Sequence, residues 1–319
     1  MPGPVRFGLI GAGRWGKNYI KTLNALSERC VLSHLCTSRP ENAALANNPV
    51  TVVSAWRDLV NSDCDAVIIS SPSSTHAEML EACLDAKKPC IVEKPCFLDA
   101  ASAERLCSRI QTENHTVLVE YTQLFNPAFQ ALQRRLSETG EHIRLIISEG
   151  MSLGPFRGTE PALWDWCPHD LSMSLDLLKQ LPERFEVLAG PRDPQGAVEQ
   201  VSMRVAFSGG ADVWIQAGYL SPQKRRNLSV FTDEHLYIFD DLAAEKLTVS
   251  LFNFPKRYSQ AQAPLERKSI PLINTTPPLT AAVLYFLDSL SGGDRRYLDM
   301  QLTLKITRIL SGCECNLNQ

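Results

Sequence analysis

The sequence predicts an α/β chain in two parts: a doubly wound parallel sheet, then an α+β domain with an open, mostly antiparallel sheet. Three observations predict it. Short apolar runs alternate with amphipathic helical stretches over the first 121 residues. A glycine-rich turn joins the first run to the first helix. Beyond Tyr121 the apolar period falls to about two. A length of 319 residues suits two ordinary domains, divided here into 1–121 and 122–319.

The elements follow in order. Val5 to Ile10 reads as a buried strand, and Trp15 to Leu26 as a helix with Ile20, Leu23 and Leu26 on one face. Val31–Cys36, Val50–Val53, Ala66–Ser70, Cys90–Val92 and Thr116–Val119 are further short strands. Helices Thr75–Ala86 and Asp99–Glu113 lie between them, with Asp99 as an N-cap. Such alternation with short connections builds a parallel sheet covered on both faces. Pro127–Ser137 is one more helix, Ile143–Met151 a long strand, and His169–Leu181 a helix halted by Pro182. Val201, Met203, Val205 and Phe207 alternate up to Ser208-Gly209-Gly210, and Val213, Ile215 and Ala217 alternate after it, a hairpin pattern. A second turn is expected at Asp233-Glu234, a loop over Pro255 to Pro278, and closing helices over Leu279–Leu290 and Leu298–Leu310.

Composition narrows the function. The net charge of −3 and the lack of a Lys/Arg block beyond Lys224-Arg225-Arg226 argue against a nucleic-acid partner. No apolar run reaches the roughly 18 residues a membrane span needs. Phe7 to Ile10 is too short for a signal-peptide core, and the ten cysteines fit no zinc spacing, so no metal is expected. Cysteines set in apolar segments behave as small hydrophobes, which points to a reducing, cytoplasmic setting.

Gly11-Ala12-Gly13-Arg14-Trp15-Gly16 is a GxGxxG sequence between strand and helix. Gly11 permits the tight turn, Gly13 the approach of a pyrophosphate, and Gly16 close packing of helix on strand, the Rossmann arrangement for a dinucleotide. The helix N-terminus offers free N–H groups and the positive end of its dipole. The segment therefore reads as an NAD(P) site, with Arg14 and Trp15 beside the phosphates. About 20 residues on, where an NAD site often carries an acid, stand Ser38 and Arg39, and no carboxylate occurs until Glu41. Arg39 can clamp a 2′-phosphate, which favours NADP(H) slightly. Ser71, Pro72 and His76 follow the fourth strand at its carboxyl end, where the cofactor of a doubly wound sheet lies.

Two more segments complete a pattern: Glu93-Lys94-Pro95 after a strand, and Asp165-Trp166-Cys167-Pro168-His169-Asp170. With the glycine loop, Thr75-His76-Ala77-Glu78 and Phe125-Asn126-Pro127, the chain resembles the Gfo/Idh/MocA family, named for glucose–fructose oxidoreductase, inositol dehydrogenase and a rhizopine-catabolism protein. The resemblance covers nearly the whole chain. It implies a Rossmann domain followed by an α/β domain whose sheet often mediates oligomers. It implies hydride transfer between NAD(P) and a hydroxyl or carbonyl of a sugar, nucleotide sugar or cyclitol. It also implies that Lys94 and His169 are the catalytic pair and that Asp165 lines the same pocket. The chain departs from the commonest pattern at Cys167, Ser172 and Asp170, which leaves Asp170 as either a substrate contact or a helix cap.

The chemistry suits these residue types. A neutral His169 can take a hydroxyl proton as hydride leaves, and Lys94 can stabilise the developing alkoxide. Glu93 is expected at the nicotinamide ribose. Tyr121, Gln123, Trp166 and Asp170 are candidate substrate contacts, and loop Phe156-Arg157-Gly158-Thr159 suits a polar ligand. A homodimer or homotetramer is expected, because a sheet face bearing Val213, Ile215 and Tyr219 needs a cover. The competing class is a cofactor-binding sensor or scaffold of the same fold that has lost turnover; the altered residues around His169 leave room for it.

Overall fold

A computed structural model describes residues 3–155, 161–253 and 266–317. The chain divides into two compact units, Met1–Thr122 with Leu279–Thr307, and Gln123–Pro278 with Arg308–Gln319.

In the first unit, strands β1 (Val5–Ile10), β2 (Cys30–Cys36), β3 (Thr51–Val53), β4 (Ala66–Ile69), β5 (Cys90–Glu93) and β6 (Val117–Glu120) form one sheet in the order β3-β2-β1-β4-β5-β6. Every pairing in it is parallel. Each residue of β4, β5 and β6 is buried, as a sheet covered on both faces requires. The connecting helices are α1 (Gly16–Ala25), α2 (Trp56–Val60), α3 (His76–Asp85) and α4 (Ala100–Thr112). The Asp99 carboxylate caps α4 by accepting from the Ser102 N–H at 2.7 Å. The strand order reverses between β1 and β4, so the crevice at the carboxyl ends of these strands is where such sheets bind ligands.

A division of the sequence at 121/122 does not account for Leu279–Thr307, which packs with the first unit. The reason is apolar burial far along the chain. Phe286, on the closing helix expected over Leu279–Leu290, meets Phe7 of β1 with ring centroids 6.0 Å apart. Arg29 and Asp288 add an exposed ion pair at 2.7 Å.

The second unit carries helix α5 (Pro127–Thr139), strand β7 (Ile143–Leu153), helices α6 (Ala162–Asp165) and α7 (Cys167–Leu178), and strands β8 (Pro182–Ala189), β9 (Gln200–Phe207), β10 (Asp212–Gly218), β11 (Leu220–Thr232), β12 (His235–Asp240), β13 (Leu247–Leu251) and β14 (Lys268–Ser269). The sheet runs β14-β13-β12-β11-β7-β10-β9-β8 and is antiparallel except at β7 with β10. The hairpin places Val205 opposite Val213. Helices α8 (Pro278–Leu290) and α9 (Gln301–Leu317) close the chain. Among the described residues, no helix is long and apolar enough to cross a membrane.

Two expectations are corrected here. Helix α7 begins at Cys167, and Lys179 ends it with a left-handed backbone at φ 51°; Pro182 instead opens β8. Val213, Ile215 and Tyr219 are buried within the chain, because α7 packs on β7 and β10 and covers that face. The opposite face exposes Ile147 and Trp214, which are register partners on β7 and β10. Of the expected loops, residues 156–160 and 254–265 lie outside the described residues.

Candidate active site

The three glycines of the loop stand in different surroundings. Gly11 has φ +92°, and a Cβ there would lie 2.4 Å from the Ser70 carbonyl oxygen. A Cβ on Gly16 would lie 2.0 Å from the carbonyl oxygen of Gly11, so helix α1 can start this close only from a glycine. Gly13 has no atom within 4 Å of an added Cβ, so the space above it is open. Helix α1 has no side-chain cap at its N-terminus; in its first turn Lys17 N–H donates to the Gly13 carbonyl at 3.2 Å and Asn18 N–H to that of Trp15 at 2.8 Å. The loop is fixed from behind by Asn42, which is buried and donates from Nδ2 to the Ala12 carbonyl at 2.8 Å. These features fit a dinucleotide pyrophosphate.

Ser38 and Arg39 follow β2 and are exposed. Ser71 is half-buried and Pro72 exposed. His76 is not a solvent-facing residue of the first helical turn. Its ring is buried, with Nδ1 2.9 Å from the Pro95 carbonyl oxygen and Nε2 2.8 Å from that of Ser71. It braces the segment after β4 against the segment after β5.

Lys94 leaves the end of β5, half-buried, through a cis bond to Pro95. Before it, Glu93 is buried and its Oε1 accepts from the Trp15 indole and, at 2.8 Å, from the Tyr19 hydroxyl. Trp15 therefore ties the glycine loop to β5. Burial pushes the Glu93 carboxyl up to about 7, against the Tyr19 bond, the Lys94 charge and the Trp15 bond. Glu120 ends β6 beside Glu93, is fully buried and is pushed well up by burial and then by the Glu93 charge. The sequence reading missed Glu120. Its signal was an apolar run, Val117-Leu118-Val119, ending in a carboxylate as Cys90-Ile91-Val92 does.

Tyr121 directly follows β6. It is buried, its hydroxyl lies 3.4 Å from Thr303 Oγ1, and burial pushes its phenol well up. The aromatic ring is part of the core.

In the second unit a cavity is lined by Gln123, Glu149, Trp166, His169, Asp170 and Arg226, among others. His169 stands in the first turn of α7, half-buried, its N–H donating to the Trp166 carbonyl at 3.1 Å. Asp170 is the residue the sequence left undecided. It is buried and does not cap a helix: its Oδ1 accepts from Ser148 at 2.5 Å on β7. Gly150 makes room for it, since a Cβ there would sit 2.8 Å from Asp170 Oδ2. Burial pushes its carboxyl to about 7 despite the Ser148 bond and the charge of Arg226. Asp165, expected in the cavity, is not among its lining residues; its Oδ2 accepts from the Tyr219 hydroxyl at 2.6 Å. The Trp166 ring carries the Arg226 guanidinium 4.9 Å from its centroid and meets Tyr219 edge-on at 5.8 Å. Gln123 is buried, bonded to Asn126 at 3.0 Å and Asp241 at 3.4 Å. Burial pushes the Cys167 thiol well up, which disfavours it as a nucleophile. Among the described residues no cluster could hold a metal ion.

Comparison with known proteins agrees with this architecture. The sequence profile of the Gfo/Idh/MocA proteins, described as "Oxidoreductase family, NAD-binding Rossmann fold", matches residues 5–121. The chain is similar to the oxidoreductase YrbE of Bacillus subtilis (strain 168), 25% identical over 219 residues, which are 64% of each chain. It is similar to inositol 2-dehydrogenase of Rhizobium meliloti (strain 1021), 30% identical over 188 residues, which are 56% of each chain. The matches thus span between half and two thirds of these relatives' own lengths. A crystal structure from Magnetospirillum magnetotacticum MS-1, assigned as an oxidoreductase, has a TM-score of 0.86 at 35% identity, over 97% of this chain and 99% of that one. The fold and the glycine loop define a Rossmann-type, nucleotide-binding class of protein. Within that class, the chain belongs to the Gfo/Idh/MocA family of oxidoreductases.

Proposed function

We propose that the chain is an NAD(P)-dependent dehydrogenase or reductase that works at a CH–OH carbon of a sugar, nucleotide sugar, cyclitol or related alcohol. The observation that carries this reading is the glycine loop, closed at Gly11 and Gly16 and open at Gly13. Similarity to an inositol 2-dehydrogenase supports the polyol class of substrate.

Gly11, Gly13, Arg14, Trp15 and Gly16 would hold the phosphates, and Ser71, Pro72, Glu93 and Lys94 would meet the nicotinamide half. Exposed Ser38 and Arg39, with no carboxylate before Glu41, favour NADP(H). A bound nicotinamide supplies or accepts hydride. His169 takes the substrate hydroxyl proton, and returns it in the reverse direction. Lys94 places a positive charge at the same oxygen and stabilises the alkoxide as it forms. Trp166, Gln123 and Asp170, which line the cavity with His169, orient the remaining hydroxyls. Asp165 supports that wall through Tyr219.

The chain works as a dimer or tetramer in this reading, with Ile147 and Trp214 at the contact. The deciding experiment screens polyols and sugars with NADP⁺ and NAD⁺ for reduction, comparing wild type with Lys94→Ala and His169→Ala. Turnover lost in both variants supports the assignment. Cofactor binding with redox activity that neither substitution alters would favour the sensor class instead.

A further inference from the structure

Adjacent parallel strands β5 and β6 end on carboxylates in the same register, Glu93 beside Glu120. Neighbouring strands lie about 4.8 Å apart, and side chains at one register point to the same face. Both residues are buried, Glu120 completely. Two carboxylates this close, away from water, cannot both ionise at small cost.

Their partners are unequal. Glu93 receives two side-chain donors, the Trp15 indole just before α1 and the Tyr19 hydroxyl on it. Glu120 receives one, the Thr122 hydroxyl at Oε2, 2.5 Å away. Its Oε1 is buried and has no hydrogen-bond partner among the described residues. The better-solvated member holds the charge, and the poorly solvated one holds the proton. Tyr19 also faces both carboxyls, and burial followed by their charges pushes its phenol well up, so it stays a neutral donor. Lys94 is the cation whose charge acts on both acids.

We propose that Glu120 is a positioning residue for Lys94: it shares one proton with Glu93 at neutral pH, and the single negative charge left on the pair holds the Lys94 ammonium at the end of β5. The assignment rests on the reading of Lys94 given above. It explains why an apolar strand end tolerates a second acid.

The test begins with cofactor-free wild-type protein carrying ¹³C-labelled glutamate carboxyls, titrated by NMR from pH 5 to 9, with Glu93→Gln and Glu120→Gln to assign the two signals. One of the two protonated at pH 7.5 is expected; both ionised at that pH overturns the pair. Lys94→Met in the same cofactor-free protein should move the near-neutral titration upward by about one pH unit. An unmoved titration removes Lys94 as the partner, whatever its part in turnover. Kinetics supply the third arm. Glu120→Gln copies the protonated acid, so kcat at pH 7 should stay within about threefold of wild type. Glu120→Ala should lose about tenfold or more in kcat with cofactor KM changed less than about threefold. Equal losses in both variants would put the charge on Glu120 and sink the shared proton; a silent Glu120→Ala would show that Glu120 positions nothing. If Lys94→Met keeps full turnover, the catalytic reading fails, while the NMR titration still judges the carboxyl pair on its own.

Discussion

Each unit buries carboxylic acid beside a candidate catalytic residue, and the two solve the problem differently. At the end of β5, Glu93 has two side-chain donors and a lysine, yet its carboxyl is pushed to about 7 because it is buried. On α7, Asp170 reaches about 7 with one donor, Ser148, and the more distant charge of Arg226. The first acid sits in a cluster of groups that must titrate together; the second titrates alone under a strand glycine. Charge at the first site therefore serves a neighbouring cation, whereas at the second it sets the polarity of a cavity wall. Substitutions should affect the two regions in different measurable quantities.

The largest effect should come from the reacting groups. Lys94→Ala and His169→Ala should each lower kcat by about a thousandfold or more, measured by nicotinamide absorbance, with melting temperatures within a few degrees of wild type. The glycine loop should split next. Gly11→Ala forces a strained backbone and a 2.4 Å clash with Ser70, so it should destabilise the first unit by about 2–4 kcal/mol and abolish binding. Gly13→Ala meets no neighbour in the chain; it should leave unfolding within about 1 kcal/mol and weaken nucleotide binding about tenfold or more. Loss of stability in both would remove the distinction between architecture and binding.

Asp170 carries the pH prediction. Its folded-state pKa, about 7, lies above its ordinary value, so the folded chain binds the proton more tightly than the unfolded one. Stability from this group is present at low pH and is lost as pH rises from about 4 through 7. Asp170→Asn removes that dependence. The melting temperature of the variant relative to wild type should rise between pH 5 and pH 8, by an amount equivalent to about 2 kcal/mol. A difference independent of pH would contradict the buried acid. The smallest effect on folding belongs to the exposed sheet face. Trp214→Asp should change stability by less than about 0.5 kcal/mol while reducing the mass found by light scattering.

Local chemistry made much of this legible. The order strand, glycine loop, helix needs only turn preferences and packing, and Gly11 and Gly16 each met a separate steric constraint. Asp99 was readable as a cap because capping is settled within four residues. What failed depended on distant contacts. Period two placed Val213, Ile215 and Tyr219 on one face but could not say that α7 covers it. Tyr121 pairs with Thr303, far along the chain, which no neighbouring residue signals. The Glu93–Glu120 pair needs the register of two strands, and Asp170's burial needs Gly150 opposite it; neither is set by nearby sequence. Helix α7 ended at Lys179 rather than against Pro182, since a left-handed backbone stops a helix before a proline must.

The central claim is nucleotide binding at the glycine loop, and the direct measurement is a titration of the wild-type protein with NADPH and with NADH, followed by nicotinamide fluorescence. The account predicts saturable binding with a Kd on the order of micromolar, tighter for NADPH through Ser38 and Arg39. Binding of neither nucleotide would contradict it, and would leave Gly11, Gly13 and Gly16 as architecture alone.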